Sequence, residues 1–99
     1  MFERDDKKRL YWLMDNYLSD EITAKTFCDE FYYCYDLELD SELLTKLEEH
    51  VFSELGTVTG RFSEFEEDIK QYPGTYFTEK QLRQKVLETQ KKLKAESSI

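Results

Sequence analysis

The sequence predicts an all-α protein: an antiparallel four-helix bundle with an extra short helix in the long loop before the last helix. Three observations predict it. One Pro and three Gly among 99 residues leave little material for the turns of a β fold. Apolar side chains recur at helical spacing in successive segments. Thr, Ser or Asp stands at the head of several of those segments, where a side-chain oxygen can cap a helix. A chain of this length makes one domain, residues 1–99, able to bury roughly two-thirds of the surface its unfolded form exposes. Hydrophobic content is only 39%, but aromatics reach 15% and bury large areas per residue.

The first helix is expected over about 5–18. Leu10, Leu13, Met14 and Tyr17 fall at i, i+3, i+4 and i+7, and Asp5 and Asp6 sit in the first turn, where the helix dipole favours negative charge. Trp12 lies off that stripe. Thr23 is placed to cap a second helix over about 24–35, with Ala24, Phe27, Cys28 and Phe31 inward and Cys34 or Tyr35 completing the stripe. Residues 36–40 read as an acidic connector. Asp40 or Ser41 would cap a third helix running to Leu55, with Leu44, Leu47, Val51 and Leu55 as its stripe and Leu43 and Phe52 at the margins. Gly56 would end that helix in a left-handed conformation.

Ser63-Glu64-Phe65-Glu66 matches a capping box and predicts a short helix over 64–71, with Phe65 and Ile69 inward. Tyr72-Pro73-Gly74 stops it. Thr78 with Gln81 predicts a second capping box, Phe77 and Leu82 suit a hydrophobic staple, and the last helix should run from Glu79 to about Lys94. Leu82, Val86, Thr89 and Leu93 would face inward, with Leu87 alongside. Residues 95–99 read as a frayed tail.

Several classes are excluded. No apolar run is long enough to span a bilayer, and the N-terminal segment, with acids among its bases, lacks the apolar stretch of a signal peptide. A cytoplasmic protein is expected. Cys28 and Cys34, six apart on a helix, would be about 9 Å apart along its axis, beyond disulfide reach. Reduced, partly buried thiols are expected. His50, the only histidine, has no partner set for zinc. No catalytic motif, no phosphate loop and no calcium loop is present, so neither an enzyme nor a cofactor is expected.

Charge carries the functional signal. There are 22 acidic and 14 basic residues, a net of -8, with a pI near 4.7. That argues against direct binding to nucleic acid or anionic lipid and favours a basic partner. The excess is local. Residues 1–10 and 77–99 are net positive, whereas 11–76 hold 16 acids and only Lys25, Lys46, Arg61 and Lys70 as bases. Two clusters stand out: Asp36, Glu38, Asp40 and Glu42, and then Glu64, Glu66, Glu67 and Asp68 beside Tyr72 and Tyr76. Like charges gathered beside aromatics suggest a docking face awaiting cations. A solvated face that keeps the chain soluble is the alternative on the residues alone.

The chain resembles the colicin D immunity protein family, small cytoplasmic proteins that neutralise a tRNA-cleaving toxin domain. The resemblance rests on Tyr17-Leu18-Ser19-Asp20-Glu21-Ile22-Thr23-Ala24-Lys25-Thr26-Phe27-Cys28, on Glu48 to Phe52, on the Arg61-Phe62 step into an acidic loop, and on the Tyr76-Phe77-Thr78-Glu79 start of the last helix with Leu82 and Val86. It covers roughly residues 10–93, and the order and spacing of the pieces carry it. It implies a four-helix bundle that covers a toxin's basic active-site cleft with acidic side chains standing in for substrate phosphates. The family's acidic contacts follow the Arg-Phe step, which maps them onto Glu64 to Asp68. Gly60 and Ser63 replace acids of the family pattern there.

The resulting expectation is a bacteriocin or contact-dependent-inhibition immunity protein. It would bind a basic nuclease toxin as a monomer in a 1:1 complex through Glu64, Glu66, Glu67, Asp68, Tyr72, Tyr76, Asp36, Glu38 and Asp40. The alternative is an acidic DNA mimic or general interaction module.

Overall fold

The computed structural model describes residues 3–97. Five α-helices follow in order: α1 (Lys8–Leu18), α2 (Ala24–Phe31), α3 (Lys46–Thr59), α4 (Glu66–Gln71) and α5 (Glu79–Ser97). A π-helix, Tyr32–Glu38, continues α2, and a 3-10 turn, Ser41–Leu43, precedes α3. Among the described residues the only extended pairing is one isolated bridge, Phe62 to Phe77. The fold is all-helical, and it measures 42 × 27 × 24 Å along its principal axes.

α1 begins three residues later than its charge pattern predicts. Asp6 stays outside and accepts the Lys8 N–H at 2.9 Å, closing a turn ahead of the helix. Leu10, Leu13, Met14 and Tyr17 are all buried, as their spacing requires. The helix ends in a Schellman motif. Glu21 N–H reaches the Asn16 carbonyl (2.8 Å) and Asp20 N–H reaches that of Tyr17 (3.1 Å). Asp20 takes the left-handed position usually given to Gly, at φ 63°.

Thr23 caps α2 by accepting the Thr26 N–H. The second helix does not stop at Tyr35 before an acidic connector. It widens into the π-helix and runs on to Glu38, closed by Leu39 N–H on the Cys34 carbonyl at 2.8 Å. Core packing drives this continuation. Phe31 stacks on Tyr35 (5.4 Å between centroids), and both meet Phe52 of α3. With Tyr17 on Phe27 (5.1 Å) and Tyr11 edge-on to Phe52 (5.8 Å), the rings form a nearly continuous chain through the core. Each such pair contributes about 0.5–1.5 kcal/mol beyond area burial, which is how a chain of modest hydrophobicity holds one core.

Asp40 caps the 3-10 turn, accepting the Glu42 N–H, and not α3. α3 starts at Lys46 under a full Thr45/Glu48 capping box. Its buried face is Val51, Phe52, Leu55 and Val58; Leu44 and Leu47 are half-buried, and Leu43 lies exposed. Gly56 does not end the helix, which runs to Thr59. A Cβ there would lie 3.7 Å from the Phe31 ring and 3.9 Å from that of Tyr35, so Gly56 sits where the aromatic chain comes close to the helix backbone.

Glu48 is 6% exposed, the one buried carboxylate among the described residues. It accepts from Thr45 N–H (2.8 Å), the Tyr11 hydroxyl and the Lys7 ammonium (3.0 Å), which ties α1 to the start of α3. Burial pushes its carboxyl up, but the Thr45 N–H, Tyr11 and Lys7 together outweigh that and leave it below the usual value. Burial also raises the Tyr11 phenol, and the Glu48 carboxylate adds to the rise.

The predicted Ser63 capping box does not form. α4 starts at Glu66 behind Phe65, and Phe65 points outward at 62% exposed. The Thr78/Gln81 box does form, with both reciprocal bonds at 2.9 and 3.2 Å. α5 buries Leu82, Val86, Thr89 and Leu93 against α1 and α3, while Leu87 is exposed. α5 runs on through Ser97, into the segment read as a tail; Ser98 and Ile99 lie outside the described residues.

Cys28 and Cys34 are free and buried. Burial pushes their thiols up to about 12 and about 11. His50 is exposed on α3, 3.2 Å from Glu54.

Candidate protein-binding site

The segment between α3 and α5 is fixed at both ends. Phe77 N–H donates to the Arg61 carbonyl (2.7 Å) and Ser63 N–H to that of Phe77 (3.1 Å). Ser63, buried, accepts the Phe65 N–H (3.2 Å) and donates its hydroxyl to Asp68 (2.8 Å). The Ser63 oxygen accepts the Phe65 N–H, two residues on, and not the Glu66 N–H that a capping box needs, so it does not cap α4. Glu66, Glu67 and Asp68 occupy the first turn of α4, where the helix dipole offsets part of their repulsion. A turn then reverses the chain. Thr75 N–H meets the Tyr72 carbonyl at 3.1 Å, with Pro73 second and Gly74 third at φ 82°, the arrangement a type II turn requires. Tyr72 is half exposed and sets its ring against Tyr76 at 6.2 Å.

The four acids of this cluster therefore play two roles. Asp68 is half-buried and holds the loop. Glu64, Glu66 and Glu67 are exposed. Glu64 also lines two adjoining hollows. One, about 280 Å³, lies between this segment and α2 and includes Lys25, Asp29, Phe65 and Tyr76. The other, about 480 Å³, reaches the α1–α2 link and the head of α5 and includes Asp20, Glu21 and Glu79. Lys25 and Phe62 are common to both. Asp20, Glu21, Asp29 and Glu79 form no run in the sequence beyond the Asp20-Glu21 pair, and only the fold gathers them.

Lys25 is the one lysine or arginine lining these hollows, and it is bound to Asp29 at 3.1 Å. That hydrogen bond raises the Lys25 ammonium above its ordinary value, and Glu64 and Tyr33 raise it further. Lys25 thus stands between the groove and the π-helix. Lys25 and Asp29 on α2, at i and i+4, are followed by Tyr33 on the π-helix, leading towards the other acidic cluster. There Asp36 and Glu38 ride on the π-helix, Asp40 caps the 3-10 turn and Glu42 lies on it, all exposed.

Five described acids, Asp20, Asp29, Glu30, Glu48 and Glu54, each meet a lysine or arginine in an ion pair, and the two clusters are among those that do not. Among the described residues none of Asp36, Glu38, Asp40, Glu42, Glu64, Glu66 or Glu67 does. Six of the seven exposed large hydrophobic side chains described lie in the same two stretches: Tyr32, Tyr33, Leu37 and Leu43 in one, Phe65 and Tyr72 in the other. No group of three or more metal-ligating side chains is assembled among the described residues, and no described helix is long and apolar enough to cross a membrane.

Exposed aromatics among unpaired carboxylates define a surface suited to a protein partner. Residues 9–93 match the family model for bacterial self-protective colicin-like immunity, and the chain belongs to that family. Membership makes a toxin protein the partner in the broad sense. Searches of curated proteins and of solved structures find no match.

Proposed function

We propose that this chain neutralises a tRNA-cleaving nuclease toxin of the colicin D or contact-dependent-inhibition type, in the cytoplasm, by covering the toxin's basic active-site cleft. The helices would act as an antiparallel four-helix bundle presenting the Glu64–Glu67 segment and the adjoining groove, one monomer to one toxin. The observation that carries this reading is the coincidence of unpaired acids with exposed aromatics. A nuclease that holds RNA must present Lys and Arg around its catalytic residues, and carboxylates can satisfy those cations with charge-assisted hydrogen bonds while excluding the substrate. Tyr72 and Tyr76 supply anchors beside them.

The test reverses Glu64, Glu66 and Glu67 to Lys and leaves Asp68, which holds the loop. Co-expressed with its cognate toxin domain, sought first in the neighbouring reading frame, the triple variant should lose protection in a growth assay while circular dichroism stays unchanged. Binding by the unaltered chain should weaken as salt rises. Full protection by the triple variant sinks the assignment.

A further inference from the structure

We infer that the π-helical turn after α2 is a second contact for the same partner, with Tyr32 and Leu37 forming an apolar anchor for a toxin hollow ringed by lysine or arginine. This rests on the toxin-binding reading above.

The π geometry creates the anchor. In an α-helix Leu37 would lie about 140° round from Tyr32. The wider turn, in which residue i+5 bonds back to residue i, returns Leu37 to the side of Tyr32. Both are left outside, Tyr32 at 49% and Leu37 at 58% exposed, while Cys34 between them is fully buried. Helical insertions of this kind recur at functional sites. Next to the pair, the Arg4 guanidinium sits 4.8 Å from the centre of the Tyr33 ring, so this surface already accommodates an arginine.

Charge selects the occupant. Residues 26–45 contain six acids and no lysine or arginine, and of the six only Asp29 and Glu30 are paired, with Lys25, Arg4 and Arg9 from outside the segment. Asp36, Glu38, Asp40 and Glu42 flank the anchor without a cation of their own among the described residues. A second copy of this chain, joined through the same face, would set these acids against themselves. An anionic lipid surface would be repelled likewise. A basic protein surface meets both the apolar pair and the charge around it. The face is also continuous with the groove through Lys25, Asp29 and Tyr33, so one partner can span both.

Tyr32→Ala with Leu37→Ala tests this in the full chain, by binding kinetics against the cognate toxin domain, beside the Glu64/Glu66/Glu67 reversal. Both side chains are exposed, so the unfolding midpoint should not move. Dissociation should quicken by on the order of tenfold or more, with association and its salt dependence unchanged, since the steering charges remain. Unchanged dissociation overturns the anchor and leaves the groove standing. If instead the anchor variant weakens and the charge reversal does not, the anchor stands and the groove falls. No binding by the unaltered chain overturns both. A dimer of the free chain that Tyr32→Ala abolishes assigns the face to a second copy and overturns the proposal.

Discussion

Glu48 is the most consequential polar side chain in the core, and its replacement gives a test worked from its contacts. Alanine there removes three acceptor interactions at once. The contact with Thr45 completes a capping box, in a class contributing about 0.5–2 kcal/mol. The Tyr11 hydroxyl donates to a charged acceptor, which contributes about 1.5–3 kcal/mol and leaves a half-buried phenol unpaired when lost. Lys7 keeps 35% of its side chain exposed, so its pairing adds no more than about 1 kcal/mol. These terms share one carboxylate and do not add fully; a loss near 3 kcal/mol is expected for Glu48→Ala. Glu48→Gln keeps the volume and can still accept from Thr45, so about 1–2 kcal/mol is expected. Urea unfolding followed by circular dichroism measures both. The pH dependence provides an independent reading. The folded carboxyl titrates below the ordinary 4.5, so its stabilisation is complete above that value and is lost as pH falls through the lower folded value. The gap between the wild type and Glu48→Gln should therefore close in acid. A loss below about 1 kcal/mol for Glu48→Ala, at unchanged denaturant slope, would refute this account of the α1–α3 tie.

Two further outcomes follow from the core. Gly56→Ala should stabilise the protein by about 0.5–1 kcal/mol, because it removes a helix-interior glycine and its new methyl meets Phe31 and Tyr35 at ordinary contact distance; a lower melting temperature would show that the rings cannot accept it. Cys28 and Cys34, buried and with thiols pushed up to about 12 and about 11, should resist iodoacetamide at neutral pH until the chain unfolds, so rapid alkylation of the native protein would contradict their placement.

What could be read along the chain was whatever local chemistry decides. Thr23 caps α2, and Thr78 with Gln81 caps α5, because each signal acts within one turn. The same pattern at Ser63 and Glu66 fails because Phe77, far along the chain, holds the Ser63 backbone, and the Ser63 oxygen accepts the Phe65 N–H in place of that of Glu66. Gly56 reads as a helix stop by composition. It lies mid-helix instead, facing Phe31 and Tyr35 from some twenty residues earlier, contacts that no local pattern reveals. The π-helix likewise answers to ring packing between elements. The acids of the candidate surface divide in the same way. Glu64 to Asp68 are visible as a run, whereas Asp20, Glu21 and Glu79 meet only after α1, α2 and α5 have come together.

The bridge between Phe62 and Phe77 has a kinetic consequence for capture. A free loop of like charges would splay apart, and gathering it onto a partner would cost ~1–2 kcal/mol for each backbone residue fixed. Here the Arg61–Phe77 and Ser63–Phe77 bonds, the Ser63–Asp68 bond and the turn at Gly74 set the path of the segment during folding. The ordering entropy and much of the mutual repulsion are then charged against the stability of the free protein and not against the complex. Encounter with a partner then has no slow rearrangement of this loop to await.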